Sequence, residues 1–242
     1  MNKQKNITAW LLILAAITFW ISWFLMPDPG TTDTQYILRA VKQVRINVLW
    51  SVITQIISSV LYVIALFKLT QVIHPLKKIV LTGIILFGIG AMGLCADAFF
   101  HLLAYFMTDS SVNIQQDVIQ VMEFMQTTGV VFLIPILLPF FIGGLVVSIG
   151  LQEQFTISKS AKVVFIAAFV IAIIGGVFTN AIHYTIPHLS ILTLAIFACG
   201  QLLIGIGFIK MPANIEQDTP AKENIDGNHP LKKYDKLRSY LN

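Results

Sequence analysis

Six apolar runs leave this chain few residues with which to build anything but a membrane-embedded bundle. They span residues 8–26, 48–69, 79–107, 129–151, 163–183 and 189–209. A hydrocarbon core about 30 Å thick takes about 20 mostly apolar residues per helix, and lipid offers a backbone no partner, so each run must close its own hydrogen bonds as a helix. Of 242 residues, 56% are hydrophobic and 12% charged; a soluble domain carries about 25% charged residues. The expected fold is all-α: a six-helix transmembrane bundle over residues 1–211, then a disordered or surface-lying basic cytoplasmic tail over residues 212–242.

Lys3 and Lys5 precede the first run, which ends at Met26-Pro27-Asp28-Pro29 with no small-residue cleavage site. An uncleaved first helix is the reading, rather than a signal peptide. Cys95 and Cys199 both fall inside expected spans, where free thiols are expected and not a disulfide framework.

Basic residues orient the bundle. Thirteen of the 16, among them Lys68, Lys77, Lys78, Lys159, Lys162 and Lys210, fall at the first end, the 2–3 and 4–5 connections, the end of the sixth run and the tail. Positive residues stay inside. Both termini are therefore expected in the cytoplasm of a multi-pass protein of the bacterial inner (plasma) membrane. The net charge of +4 needs no nucleic acid as partner; the lipid bilayer accounts for it. Arg39, Lys42 and Arg45 lie on the external 1–2 connection. There, residues 33–45 place Tyr36, Ile37, Ala40, Val41 and Val44 on one face of an amphipathic helix. Two readings stand: cations snorkelling to lipid phosphates, or a basic rim that gathers an anionic ligand. Residues 113–126, with Ile114, Val118, Val121 and Met125 on one stripe, suit a second short amphipathic helix in the external 3–4 connection.

Within the third run, residues 79–107, Asp97 and His101 alone can carry charge. A carboxylate at membrane depth costs about 2.5–3.5 kcal/mol on insertion scales, so it marks a functional site by default. With each helix set in its direction, Asp97 and His101 fall in the outer half of the third span. Asn180 and His183 end the fifth, and Gln55 lies early in the second. Gly83, Gly90 and Asp97 recur every seven residues; Ala168, Ala172, Gly176, Asn180 and His183 form a small-to-polar stripe, as do Ser51, Gln55, Ser58 or Ser59, and Tyr62. Small and polar residues at such spacings turn inward in membrane bundles. Pro135 and Pro139 are expected to kink the fourth span. The expectation is a polar pocket near the outer leaflet, lined by Gln55, Asp97, His101, Asn180 and His183, with Arg45 at its rim. Pairing of the same residues as structural glue is the competing reading.

Three chemistries suit such a pocket. It binds or moves a small polar or lipid-derived ligand; intramembrane Asp and His residues serve proton-linked transport in this way. Alternatively, Asp97, His101 and His183 hold zinc with a fourth position left for water, making a metal-dependent hydrolase of a lipid amide or ester. In the third, His101 and His183 are axial ligands of a haem. No Gly-rich phosphate loop, nucleophile elbow, CxxC or HExxH is present.

Two resemblances bear on these readings. The set of Asp97, His101, His183 and the serines is similar in residue types to the ceramidase and adiponectin-receptor type of intramembrane hydrolase; that implies a buried zinc, although the late-helix pair of histidines is absent. The layout, with Arg45 entering the second span, Pro75-Leu76-Lys77 between spans and a Gly-rich end to the fourth, resembles a family of six-helix bacterial membrane proteins known only as a domain of unknown function. That resemblance runs from Thr8 to about Lys210 and implies the fold without an activity.

Overall fold

A chain that must satisfy its backbone internally becomes helical wherever it is long and apolar, and its small and polar side chains then decide which faces meet. The computed structural model describes residues 2–27, 33–73, 75–112, 116–155, 159–182 and 188–210. Among these every regular element is a helix: α1 (Asn2–Leu25), α2 (Thr34–Gln43), α3 (Arg45–Val72), α4 (Lys78–Met107), α5 (Gln116–Phe124), α6 (Val130–Phe155), α7 (Lys159–Ile182) and α8 (Leu189–Lys210), with a π-helical turn at Met125–Gly129. The six long helices overlie the six apolar runs. Over the described residues α1, α3, α4, α6 and α8 are long and apolar enough to cross a membrane, which is the character of a protein embedded in a lipid bilayer. The chain divides into two compact units, residues 1–211 and 212–242. The expectations for the tail fall in the second, outside the described residues.

Neighbour relations make a ring. α1 packs on α3 and α8, α3 on α4, α4 on α6, and α7 on α8, with a lighter α6–α7 contact completing the circle. The closest pair, α4 and α6, is set by reciprocal glycines. A Cβ on Gly83 would stand 2.7 Å from the Val147 backbone nitrogen, and one on Gly143 would stand 2.6 Å from Phe87 Cα. Gly90 in turn lies directly against the Phe140 backbone, and Gly93 against the Ile136 carbonyl. Each glycine of one helix thus receives the backbone of the other, the close approach that small residues permit between membrane helices. Pro135 and Pro139 lie inside α6, beside this seam.

One ring from each long helix fills the middle of the bundle. Phe19 of α1, Tyr62 of α3, Phe87 of α4, Phe140 of α6, Phe165 of α7 and Phe197 of α8 are all fully buried. Phe140 is the hub. Its ring lies 5.2 Å from Phe19, 5.1 Å from Tyr62, 4.9 Å from Phe87 and 5.6 Å from Phe197. Phe165 reaches Phe197 at 4.9 Å. Tilted and edge-on pairs of this kind add about 0.5–1.5 kcal/mol each beyond the area they bury. The centre of the ring of helices is therefore a packed aromatic plug.

A second, smaller cluster caps the end at which α1 finishes and α3 begins. Leu38 and Val41 of α2, Val48 of α3, Ala104 of α4 and Met122 of α5 form it, with Met26, Met107 and Met125 packed against them. Asp33 begins α2 by accepting from the amides of Gln35 and Tyr36 at 2.9 and 3.3 Å, the arrangement of a helix N-cap. Thr34 ties α2 to the π turn by donating to Gln126 Oε1 at 2.9 Å. The faces differ in detail from the sequence patterns. Tyr36 and Val121 are exposed, whereas Thr34, Leu38 and Val41 on α2 and Met122 on α5 point inward. The helices dock on each other and on the bundle end, so tertiary contact chooses the row.

Candidate ligand-binding site

The seam between α3 and α4 carries the polar residues. Along α3, Ser51, Gln55, Ser58, Ser59 and Tyr62 are all buried, one or two to a turn on one face. The serines use backbone carbonyls: Ser51 donates to Ser22 at 2.6 Å, Ser58 to Ala15 at 2.9 Å and Ser59 to Ala91 at 2.6 Å. These are interhelical fasteners. Tyr62 donates to Gln201 Oε1 on α8, while Gln201 Nε2, equally buried, has no acceptor among the described residues.

Gln55 differs because it bridges two ionisable groups. Its Nε2 donates to Asp97 Oδ2 at 2.6 Å, and its Oε1 faces His101 Nδ1 at 3.2 Å. With the amide oriented by Asp97, Oε1 can only accept, so Nδ1 carries a hydrogen. His101 Nε2 then faces Asp97 Oδ2 at 3.9 Å. Asp97 is 5% exposed and Gln55 1%. The His101 side chain retains 16%, so the cluster opens on the histidine side. The Trp23 ring of α1 is perpendicular to the imidazole, ring centroids 5.7 Å apart at 90°, and its buried Nε1–H has no acceptor among the described residues.

The cluster sits between plug and cap. Trp23 is one turn beyond Phe19, Gln55 two turns before Tyr62, and Asp97 ten residues beyond Phe87, or about 6–15 Å at 1.5 Å per residue. On the other side Val48 and Ala104 belong to the cap.

Arg45 lies further out on the same seam, at the start of α3. Its Nε donates to the Tyr105 carbonyl at 3.2 Å, its Nη2 to Asp109, and its guanidinium lies 3.9 Å over the Tyr105 ring. Asp97, His101, Tyr105 and Asp109 thus form one row at four-residue spacing on α4 and its end. Arg45 fastens the start of α3 to the end of α4. The Asp109 carboxyl is held below the usual carboxylate range, first by the Ser111 hydroxyl, then by the Ser111 amide, with Arg45 adding to both. A depressed carboxyl contributes stability that is present above its unfolded pKa of about 3.9 and lost as pH falls through the lower folded value. The thermal midpoint of the wild type should therefore drop between pH 5 and pH 3 more than that of Asp109→Asn; equal slopes would show that the pairing has no folded-state effect.

Of the residues singled out from sequence, the structure brings Gln55, Asp97 and His101 together, whereas Arg45 bonds to Tyr105 and Asp109 beyond them. Asn180 lies near the end of α7, with its side chain outside the described residues, and His183 lies outside them altogether. Ala168 on α7 is buried but Ala172 is exposed, so that stripe does not keep to one inward face. Among the described residues no three His, Cys, Asp or Glu side chains are grouped as a metal would require. The zinc and haem readings both depend on His183. Sequence reasoning missed Trp23, Tyr105 and Asp109. The last two were visible as the continuation of the Asp97–His101 spacing, whereas nothing in the α1 pattern set Trp23 apart from other membrane tryptophans. No protein family matches the chain, and neither a curated protein nor a solved structure matches it.

Proposed function

We propose that this is a six-pass inner-membrane protein of a bacterium, both termini cytoplasmic, whose α3–α4 seam binds or moves a small polar or lipid-derived ligand near the outer leaflet. The observation that carries the reading is a buried carboxyl and an imidazole, Asp97 Oδ2 and His101 Nε2, held 3.9 Å apart by one glutamine within an apolar span. Two ionisable groups at this depth are costly, and lipid supplies no compensation. A structural fastener needs only a donor–acceptor pair, as the three serines show. Gln55 instead holds both groups ready for a third.

The aromatic plug supports entry and exit at the same end. Six fully buried rings lie between the cluster and the far half of the bundle, where the core is Leu12, Leu69, Ile73, Val80, Leu151 and Phe208. The cap of α2 and α5, with exposed Arg39 and Lys42, would then lie at the lipid headgroups, where cations near helix ends are stable.

Native mass spectrometry of the detergent-solubilised protein tests this reading. Wild type should carry a bound molecule that both Asp97→Asn and His101→Gln lose, with thermal midpoints within a few degrees of wild type. Stoichiometric zinc in elemental analysis, lost in His101→Ala and His183→Ala, would replace binding with the hydrolase reading. Identical spectra for all three proteins would return the cluster to a packing role.

A further inference from the structure

We infer that α2 is a hinged lid over the Gln55–Asp97–His101 cluster, turning at Val44 and latched at its free end by Thr34. The inference rests on the reading that the seam binds a ligand, and adds how that site is closed from the aqueous side. Its first support is position. Each helix that contributes to the cluster runs directly into the cap. Met26 lies three residues beyond Trp23, Val48 seven residues before Gln55, and Ala104 three residues beyond His101, one or two helical turns in each case. Leu38 and Val41 of α2 fill the same cap and are buried there. With the aromatic plug on the other side, α2 stands in the outward path from the cluster.

The second support is the way α2 is held. The chain passes from α2 to α3 at one residue, Val44, whose φ of −116° and ψ of 31° break the helical run. Hinges are element-terminal residues of this kind, which absorb a change in φ and ψ. The next residue is anchored: Arg45 bonds to the Tyr105 carbonyl and to Asp109, so the base of the hinge stays with α4. Thr34 lies nine residues from Gln43 at the other end of α2, about 14 Å at 1.5 Å per residue. There it donates to Gln126 Oε1 at 2.9 Å. α2 is thus a lever with a firm base at one end and a hydrogen-bonded latch at the other.

The third support is the surface on which α2 closes. Gln126 belongs to the π turn Met125–Gly129, none of whose residues is buried. Such turns interrupt the helical ladder and recur at functional sites. Met26, Met107, Met122 and Met125 pack in the cap with Leu38 and Val41. Methionine is flexible and fits irregular gaps, so this contact can part and re-form without a rigid jigsaw to rebuild. Gln35, Arg39 and Lys42 of α2 are exposed and stay solvated when the helix swings.

Trp23 reports on access to the cluster without any ligand. In the full chain, Trp10→Phe, Trp20→Phe and Trp50→Phe leave Trp23 as the sole tryptophan. Its quenching by iodide, an aqueous ion that lipid excludes, would be measured in nanodiscs. Thr34→Val removes the latch. Loss of one neutral hydrogen bond shifts an opening equilibrium by about two- to tenfold, and the quenching constant should rise accordingly; Thr34→Ser should leave it unchanged. Thr34→Cys with Gln126→Cys, in a Cys95→Ala and Cys199→Ala background, locks the lid when joined by a short bismaleimide. Cross-linking should lower quenching below that of the same protein before treatment, and this comparison decides alone if Thr34→Val does not fold. Equal quenching with the latch intact, removed and cross-linked would overturn the lid. If a copurifying molecule depends on Asp97 while quenching ignores the latch, binding stands and the lid falls. If quenching follows the latch while no molecule depends on Asp97, the lid stands and the binding reading falls.

Discussion

Gly90→Ala is expected to cost this bundle more than any other single methyl group added to it. The new Cβ would overlap the backbone nitrogen and Cα of Phe140, which cannot rotate away as a side-chain tip would. α4 and α6 would have to separate along the seam where Gly83, Gly93 and Gly143 also hold backbone against backbone. Overpacking typically costs about 1–3 kcal/mol, and a clash with backbone at the hub of the aromatic plug belongs at or above the top of that range. Gly88→Ala is the matched control, because its Cβ meets only Leu66 Cδ1 at 4.0 Å. There the helix propensity of alanine should stabilise by up to about 1 kcal/mol. Thermal or denaturant unfolding in one detergent measures both. A Gly90→Ala protein as stable as Gly88→Ala would mean that α4 and α6 do not pack as described.

Gln55→Leu is the second large effect, expected to destabilise more than removal of the carboxylate it serves. Leucine would strip Asp97 of its 2.6 Å donor and leave a buried carboxyl oxygen without that partner, a loss of about 1–3 kcal/mol or more. The double variant Gln55→Leu/Asp97→Leu removes donor and acceptor together, and replacement of both partners by apolar groups is often close to neutral. The double variant should therefore unfold at a higher temperature than the single one. Additive losses would show that Gln55 and Asp97 are not coupled. The same comparison separates stability from function, since the double variant retains the fold without the charged group on which ligand binding is proposed to depend.

The order of these effects explains which parts of the molecule could be read from its residues. The long helices overlie the apolar runs because length and hydropathy are local properties that the backbone must answer in lipid. Asp97 and His101 stood out for the same reason: polar groups are conspicuous where few are tolerated. Gln55 was assigned to a similar depth on an adjacent span, as was Asn180, and depth alone could not choose between them as partners. Trp23 did not follow, because an orphaned N–H is a property of surroundings and not of tryptophan. Val41, Ile37, Val44, Val118 and Met125 of the expected stripes on α2 and α5 pack in the cap, but Tyr36 and Val121 turn outward and Thr34, Leu38 and Met122 turn inward, because both helices dock on the bundle end as well as meeting solvent and lipid.

By itself the sequence determined a helical membrane protein with a costly carboxylate on its third long helix, since apolar length and one misplaced charge need no partner to be recognised. Only the tertiary structure decided that Phe19, Tyr62, Phe87, Phe140, Phe165 and Phe197 meet in one plug, that glycines of α4 and α6 interlock, and that one glutamine holds carboxylate and imidazole face to face. Helical periodicity assigns a residue to a side of its own helix. Which neighbour that side meets, and at what height, depends on ridges and gaps supplied by other helices far along the chain.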